Sequence, residues 1–321
     1  MTTLQLATPP PRVAPTVNAI FSRILLAIDF GPASLGAARW ATAHVAPDAD
    51  AVLMHVMPFA ERTRVDDTPA TVEDEFLDGV TPALVGGLGG FGATLDVASK
   101  RSAVRVGRPS VCLAAVANDA EVSLLTLGRR ADANRVRVGE PNVIERVARR
   151  TSASVLVVPE GTTQTPDHII AAVDESPFAP HVLRVAARLG RMHEVPLTIL
   201  HVLEPVAGSY ERVIRSAKHL LPRVGGRSGM TPDGSHVPTS LSLNTAKWLV
   251  QLGRADIGPD STHVAMGDPV REIVNTAMTL EAPLVVVGLR GADEAPPGSI
   301  GSVARELLTR GPVPVLAVNA L

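Results

Sequence analysis

Apolar residues in this chain fall into two rhythms. Short unbroken runs, among them RILLAID from Arg23, AVLMHV from Ala51, VLVV from Val155, HIIAAVD from His168, LTILHV from Leu197, PLVVV from Pro283 and VLAV from Val315, have strand length and no polar alternation, as expected of strands buried on both faces. Between them, apolar residues recur at helical spacing: after Asp29, after Asp174, in SVCLAAVAND from Ser110 and in SVARELLTR from Ser302. Strand and helix alternating in this way predict a parallel sheet covered by helices on both faces, because right-handed crossovers place them there.

The pattern occurs twice. RILLAIDFGPASLGAARWATAHV, from Arg23, is similar to HIIAAVDESPFAPHVLRVAARLG, from His168; each is a strand ending in an aspartate, a turn carrying Pro32 or Pro177, and an amphipathic helix. The next strand ends in His55 and Val56 in one copy and in His201 and Val202 in the other. Further on, Gly107 matches Gly267, Gly128 matches Gly288 and Val155 matches Val315, always 160 positions apart. A constant offset argues for duplicated structure. We therefore expect a flexible tail over 1–20, a first domain over 21–160, a linker at 161–166 and a second domain over 167–321. Both are doubly wound α/β domains with parallel sheets, set in tandem. Two middles differ, roughly 58–102 and 204–260, and the second holds the loop-like LPRVGGRSGMTPDGSHVPTS.

Length fits two such units, since 321 residues allow a core in each half. Thirty basic against 32 acidic residues give a net charge of -2, so no nucleic-acid footprint is expected. No apolar run approaches the roughly 18 to 20 residues that span a bilayer, and the proline-rich start lacks the layout of a secretory signal. A cytoplasmic location is the default expectation. Cys112 is the single cysteine and is expected to be a buried small hydrophobe.

The chemistry concentrates near the C-terminus. Gly288 and Gly291 follow the strand PLVVV, and Gly301 and Ser302 precede the helix SVARELLTR. Glycine lets backbone approach a ligand, and a helix start offers unpaired N–H groups and the favourable end of a dipole. A phosphate chain suits that combination, although Ser302 serving only as a helix cap on a long surface loop is the local alternative. The spacing Gly288, two residues, Gly291, nine residues, Gly301 and Ser302 resembles the G-x2-G-x9-G-[ST] nucleotide motif of the universal stress protein family. The Asp-ended first strand, the HV-ended second strand, the Gly267-Asp268-Pro269 turn and the closing strand PVPVLAV extend the resemblance over nearly all of both halves.

That resemblance implies a Rossmann-like fold of the adenine nucleotide alpha hydrolase type, and ATP as the ligand, with magnesium as a companion cation. Asp174 would lie beside the ribose, the Val202 backbone would meet the adenine edge, and Gly288 would line the ribose and phosphate side. Gly291, Gly301, Ser302 and Val303 would receive the phosphates. Family members also pair through the closing strand, so the two halves are expected to form a pseudo-dimer and two chains a homodimer. The chain departs from the family at Asp293 and Glu294, whose charge opposes phosphate unless a divalent cation intervenes, and at Pro296 and Pro297, which restrict the loop. Arg290 offsets part of that charge. The first half places Ala131, Pro141 and Asn142 where the motif needs glycines and serine, and is expected to be a degenerate partner domain.

Other signals are weaker. GGLGGFG at 86–92 contains G-x-G-x-x-G but follows no convincing strand, and is expected to be a flexible helix connection. His55 and His201 read as inherited architecture and not as a metal pair. Three function classes remain open: an ATP-binding regulatory protein of stress responses with an unknown protein partner, a slow ATP-hydrolysing enzyme, and a nucleotide-free assembly module. No evident general base beside the glycines weighs against dedicated catalysis, and no catalytic residue is assigned.

Overall fold

The apolar runs pair as strands, and the ten strands described all lie in one sheet. A computed structural model describes residues 19–58, 71–131, 142–203, 261–281, 284–290 and 299–319. The first half runs β1 (Arg23–Ala27), α1 (Pro32–His44), β2 (Asp50–Pro58), α2 (Thr71–Gly92), β3 (Ser99–Gly107), α3 (Pro109–Asp119), β4 (Leu124–Arg129), α4 (Val143–Ala148), β5 (Ser154–Pro159). In the second come β6 (Ile169–Ala172), α5 (Ala179–His193), β7 (Leu197–Leu203), β8 (Ser261–Met266), α6 (Pro269–Thr279), β9 (Leu284–Gly288), α7 (Ser302–Arg310) and β10 (Val315–Val318). The second variable middle, 204–260, and its glycine-rich loop lie outside the described residues.

Strand order across the sheet is β3-β2-β1-β4-β5-β10-β9-β6-β7-β8. Read from either edge inward, the two halves have the same order, and pairing within each is parallel. At the centre β5 and β10 run antiparallel, with Val157 opposite Val315, Leu156 opposite Leu316 and Val155 opposite Ala317. The expected pairing through closing strands is thus made within the chain. Alternate residues of these strands point to opposite faces, so Leu156 and Leu316 enter one apolar layer, while Val155, Val157, Val315 and Ala317 enter the other. Each layer holds residues of both halves. At the first-half edge, exposed Lys100 and Arg101 discourage further strand addition.

Matched glycines end the matched strands. Gly107 and Gly267 have φ of +147° and +149°, where a side chain is strained, and a Cβ there would lie 2.9 Å from Cys112 Sγ or 3.1 Å from Glu272 Oε1. Asp268 then caps α6, its Oδ1 accepting the Arg271 N–H at 2.9 Å. Cys112 is half-buried, short of the full burial expected, and desolvation pushes its thiol pKa up against the opposing pull of Arg105. GGLGGFG is no loop: it forms the last turns of α2, with Leu88 fully buried. Packing overrides the poor helix propensity of glycine there, since this helix lies close enough to the sheet that a Cβ on Gly92 would touch Leu53 at 3.4 Å.

Side-chain contacts also tie the halves together beyond the sheet. Arg129, at the end of β4, is 8% exposed and reaches across the centre to donate to the carbonyls of Gly311 and Leu308, at the C-terminal end of α7. On the opposite side, Trp40 Nε1 donates to the Gln164 carbonyl in the linker at 2.9 Å, and the His193 ring donates from Nε2 to the His44 carbonyl at 2.7 Å. The His44 and His193 rings stand 5.8 Å apart. Burial, and secondarily His193, holds the His44 pKa below its ordinary value.

Arg129→Ala would leave buried carbonyls without a donor, and should destabilise the chain by roughly 1 to 3 kcal/mol in chemical denaturation. Acidification should do so too. His44 takes up a proton less readily folded than unfolded, so the unfolded state binds more protons as pH falls, and stability decreases with it. The contribution is complete above about pH 6.5, the unfolded value, and is lost as pH drops toward the lower folded one. His181 shifts the same way, through burial first and Arg184 second. Thermal melts from pH 8 to pH 5 should fall with pH, and fall less in His44→Gln; equal slopes would remove His44 as a cause.

Candidate functional site

In a sheet of this order the crevice lies where crossovers leave in opposite directions, outside the carboxyl ends of the strands. Here there are two such points, between β1 and β4 and between β6 and β9. In the second half, Ala172 of β6 lies level with Val287 of β9 and Leu200 of β7. The carboxyl ends of three adjacent parallel strands therefore bring together Gly288, Asp174 and Val202. Neighbouring strands are about 4.8 Å apart, so these positions span little more than a nucleoside.

Asp174 is exposed, and its Oδ1 accepts only the Ser176 N–H, at 3.2 Å, among the bonds described. This is a turn two residues long and not a cap on α5, whose N-cap is Phe178 without a side-chain bond. Val202 is half-buried at the end of β7. Gly301 is the N-cap of α7 and makes no side-chain cap. Its N–H donates to the Leu289 carbonyl at 3.0 Å, which closes the loop onto β9. The amides of Ser302, Val303 and Ala304 are then the ones left without an acceptor inside the helix. Ser302 is exposed and Val303 half-buried. Gly291 lies outside the described residues, as do Asp293, Glu294, Pro296 and Pro297. The flanking Arg290 Nε and Ser299 Oγ are buried with no hydrogen-bond partner.

The matching crevice of the first half is occupied by the protein itself. Asp29 Oδ1 accepts the Gly31 N–H at 2.9 Å and the Ser34 hydroxyl at 2.5 Å; in the second half Ala179 stands where Ser34 does. Helix α1 begins three residues after Asp29, whereas α5 begins five after Asp174. That earlier start presses α1 onto β4, so a Cβ on Gly128 would lie 2.2 Å from the Ala33 carbonyl oxygen. At Gly288 the corresponding contacts are 3.0 Å to the Arg290 carbonyl and 3.6 Å to a Val182 methyl. Ala131, aligned with Gly291, donates its N–H to Glu160 Oε2 at 3.1 Å. Asn142, aligned with Ser302, caps α4 by accepting the Glu145 N–H on Oδ1 at 2.9 Å. Pro141 is outside the described residues.

The two strand-end histidines do the same work in both halves. His55 Nδ1 lies 2.7 Å from the Ile28 carbonyl and His201 Nδ1 2.8 Å from the Val173 carbonyl. A carbonyl can only accept, so Nδ1 carries the proton in each, pinning the residue before Asp29 or Asp174. Among the described residues no group of three or more His, Cys, Asp or Glu could hold a metal. None of the helices described is long and apolar enough to cross a membrane. Sequence reasoning missed Ser34 and Glu160, although the serine-to-alanine difference is visible once Asp29 is aligned with Asp174.

Comparison with known proteins agrees with the duplication. A family model described as the universal stress protein family matches residues 21–159 and again 166–319. Universal stress protein Rv2623 of Mycobacterium tuberculosis is 27% identical over 152 residues, which are 47% of this chain and 47% of that protein, so the match spans about half the length of this curated relative. Universal stress protein YxiE of Bacillus subtilis is 27% identical over 154 residues, 47% of this chain but 97% of its own length. Among solved structures, a universal stress protein from Archaeoglobus fulgidus DSM 4304 superposes with a TM-score of 0.60 at 16% identity, covering 94% of this chain and 97% of its own. Protein PA1789 of Pseudomonas aeruginosa PAO1 gives 0.52 at 12% identity, over 93% and 92%. At such identities these structures speak for the fold alone. Two successive family matches over the two α/β halves make this chain a tandem member of the universal stress protein family.

Proposed function

We propose that the chain is a regulatory stress-response protein that holds one adenine nucleotide, ATP, in its second half. The observation that carries this reading is the difference between the crevices. In the first half Ser34, Glu160 and Asn142 already satisfy the groups that a nucleotide would meet. In the second half Asp174 is exposed, α7 starts without a side-chain cap, and no backbone from α5 is pressed against Gly288. An open helix start attracts an anion through its free amides and its dipole.

The identity of the base and sugar rests on the motif resemblance, with Asp174 toward the ribose and Val202 toward the adenine edge. Gly288 lines the sugar side, Gly291 the phosphate side, and Gly301, Ser302 and Val303 receive the phosphates. Magnesium would arrive on the phosphates, where it would offset Asp293 and Glu294. A regulatory role is preferred to catalysis because the sequence places no evident general base beside the glycines apart from Asp293 and Glu294.

Replacing Gly301 by Val and Ser302 by Ala together should weaken ATP binding at least about tenfold, since hydrogen bonds to charged groups contribute roughly 1.5 to 3 kcal/mol each. Calorimetric titration with ATP and magnesium should count one nucleotide per chain. A stoichiometry near two, or binding that depends on Asp29 and not on Asp174, would assign the site to the wrong half.

A further inference from the structure

The pseudo-twofold axis creates two clefts where the end of one half's fourth strand meets the last helix of the other half, and the chain treats them differently. In one, the Arg129 guanidinium fills the space by bonding to the Gly311 and Leu308 carbonyls. At the matching position on the other side stands Leu289, fully buried, and beside it remains an open cleft of about 530 Å³ lined by Arg290, Arg149, Arg150, Thr151, Ser152 and Asn118. The wall of that cleft is braced. Asn118 Nδ2 donates to the Arg150 carbonyl at 3.0 Å, and its Oδ1 accepts the Ser152 N–H at 2.9 Å and the Ser152 hydroxyl at 3.0 Å. From the second half, Asn319 Nδ2 donates to the Ser152 carbonyl at 2.7 Å. Across the axis, Met278 replaces Asn118 and Pro312 replaces Ser152, so this bracing belongs to one side only.

Three arginines from the two halves line that cleft, against an apolar wall from α3. Arg149 is paired with Glu145 at 2.8 Å, Arg150 makes one long contact with the Arg146 carbonyl at 3.5 Å, and the buried Arg290 Nε has no partner. A neighbouring cleft shares Arg149 and Arg150 and adds Arg108, Arg146 and the Glu145 carboxylate that pairs with Arg149. Arginines at the end of α4 are favoured by its dipole, which explains Arg149 and Arg150 but not Arg290 of the other half in the same lining. Like charges gathered in this way are costly until an anion joins them, and the planar fork of arginine suits phosphoryl oxygens. Arg290 directly follows Leu289, whose carbonyl accepts the Gly301 N–H at the start of α7.

We propose that this cleft is a second anion subsite, formed by Arg290 of one half with Arg149 and Arg150 of the other, that takes a phosphoryl group beside the start of α7. The ligand that carries the phosphoryl group, as the distal phosphates of a bound nucleotide, rests on the reading above, while the cleft itself does not. The first half, having lost its own cradle, would thus complete the site of the second.

Calorimetric titrations of the full chain with inorganic pyrophosphate, AMP and ATP would test this in wild type, Arg150→Gln, Arg290→Gln and Arg310→Gln. Arg310 is the pseudo-symmetric match of Arg150 and serves as the control; thermal melts confirm that each variant folds. Pyrophosphate should bind wild type and Arg310→Gln alike and bind Arg150→Gln and Arg290→Gln at least roughly tenfold more weakly, with ATP losing more than AMP. Pyrophosphate binding that is absent, or that ignores both Arg150 and Arg290, overturns the proposal. If ATP still depends on Gly301 and Ser302 in that case, the nucleotide reading survives alone. Should pyrophosphate need Arg150 and Arg290 while ATP does not bind at all, the cleft stands and the nucleotide reading falls.

Discussion

Val155, Leu156 and Val157 of β5 lie against Ala317, Leu316 and Val315 of β10, and this short antiparallel ladder makes one sheet of two. All six residues are at most 1% exposed. Separated, each half would show water an apolar edge strand, the arrangement most prone to pair with another chain. Joining them also merges the layers above and below the sheet, so that each apolar core draws on both halves. Neither half therefore has a core wholly its own. The pairing through closing strands is made inside one chain, and the outer edges of the sheet are β3 and β8.

A frame secured in this way lets the two crevices differ without losing the fold. Positions that would face a nucleotide in the first half have acquired internal partners: the Ser34 hydroxyl for Asp29, the Glu160 carboxylate for the Ala131 amide, and the Asn142 side chain for the start of α4. Each substitution removes an unsatisfied polar group, which is stabilising when no ligand is present. In the second half Asp174 is exposed, with the Ser176 N–H as its described partner, and α7 starts without a side-chain cap.

Much of this was legible in the residues because duplication supplies an internal comparison. A constant offset of 160 placed Gly107 with Gly267 and Gly128 with Gly288, and the structure gives the first pair almost identical φ. The matched histidines make matching bonds to the Ile28 and Val173 carbonyls. Illegible were features decided by tertiary packing: GGLGGFG as helix, because propensity yields to contact with Leu53 and Phe30, and the incomplete burial of Cys112. Glu160 escaped notice because it lies 29 residues from Ala131 and belongs to no motif. The contact of Arg129 with α7 spans some 180 residues, and no local pattern signals it.

Helix α7 is held at its start by the Gly301 bond to Leu289 and at its end by Arg129. One anchor belongs to the second half and the other to the first. A guanidinium at the carbonyl end of a helix is favoured by the dipole and answers carbonyls that would otherwise be orphaned. Any shift of α7 that accompanies an anion at its amide end must therefore stretch or reorient the Arg129 bonds, and so load β4 of the first half. Because buried partners of this kind are costly to leave unmade, the first half resists such a shift or moves with it. The first half would in this way sense a displacement of α7 in the second.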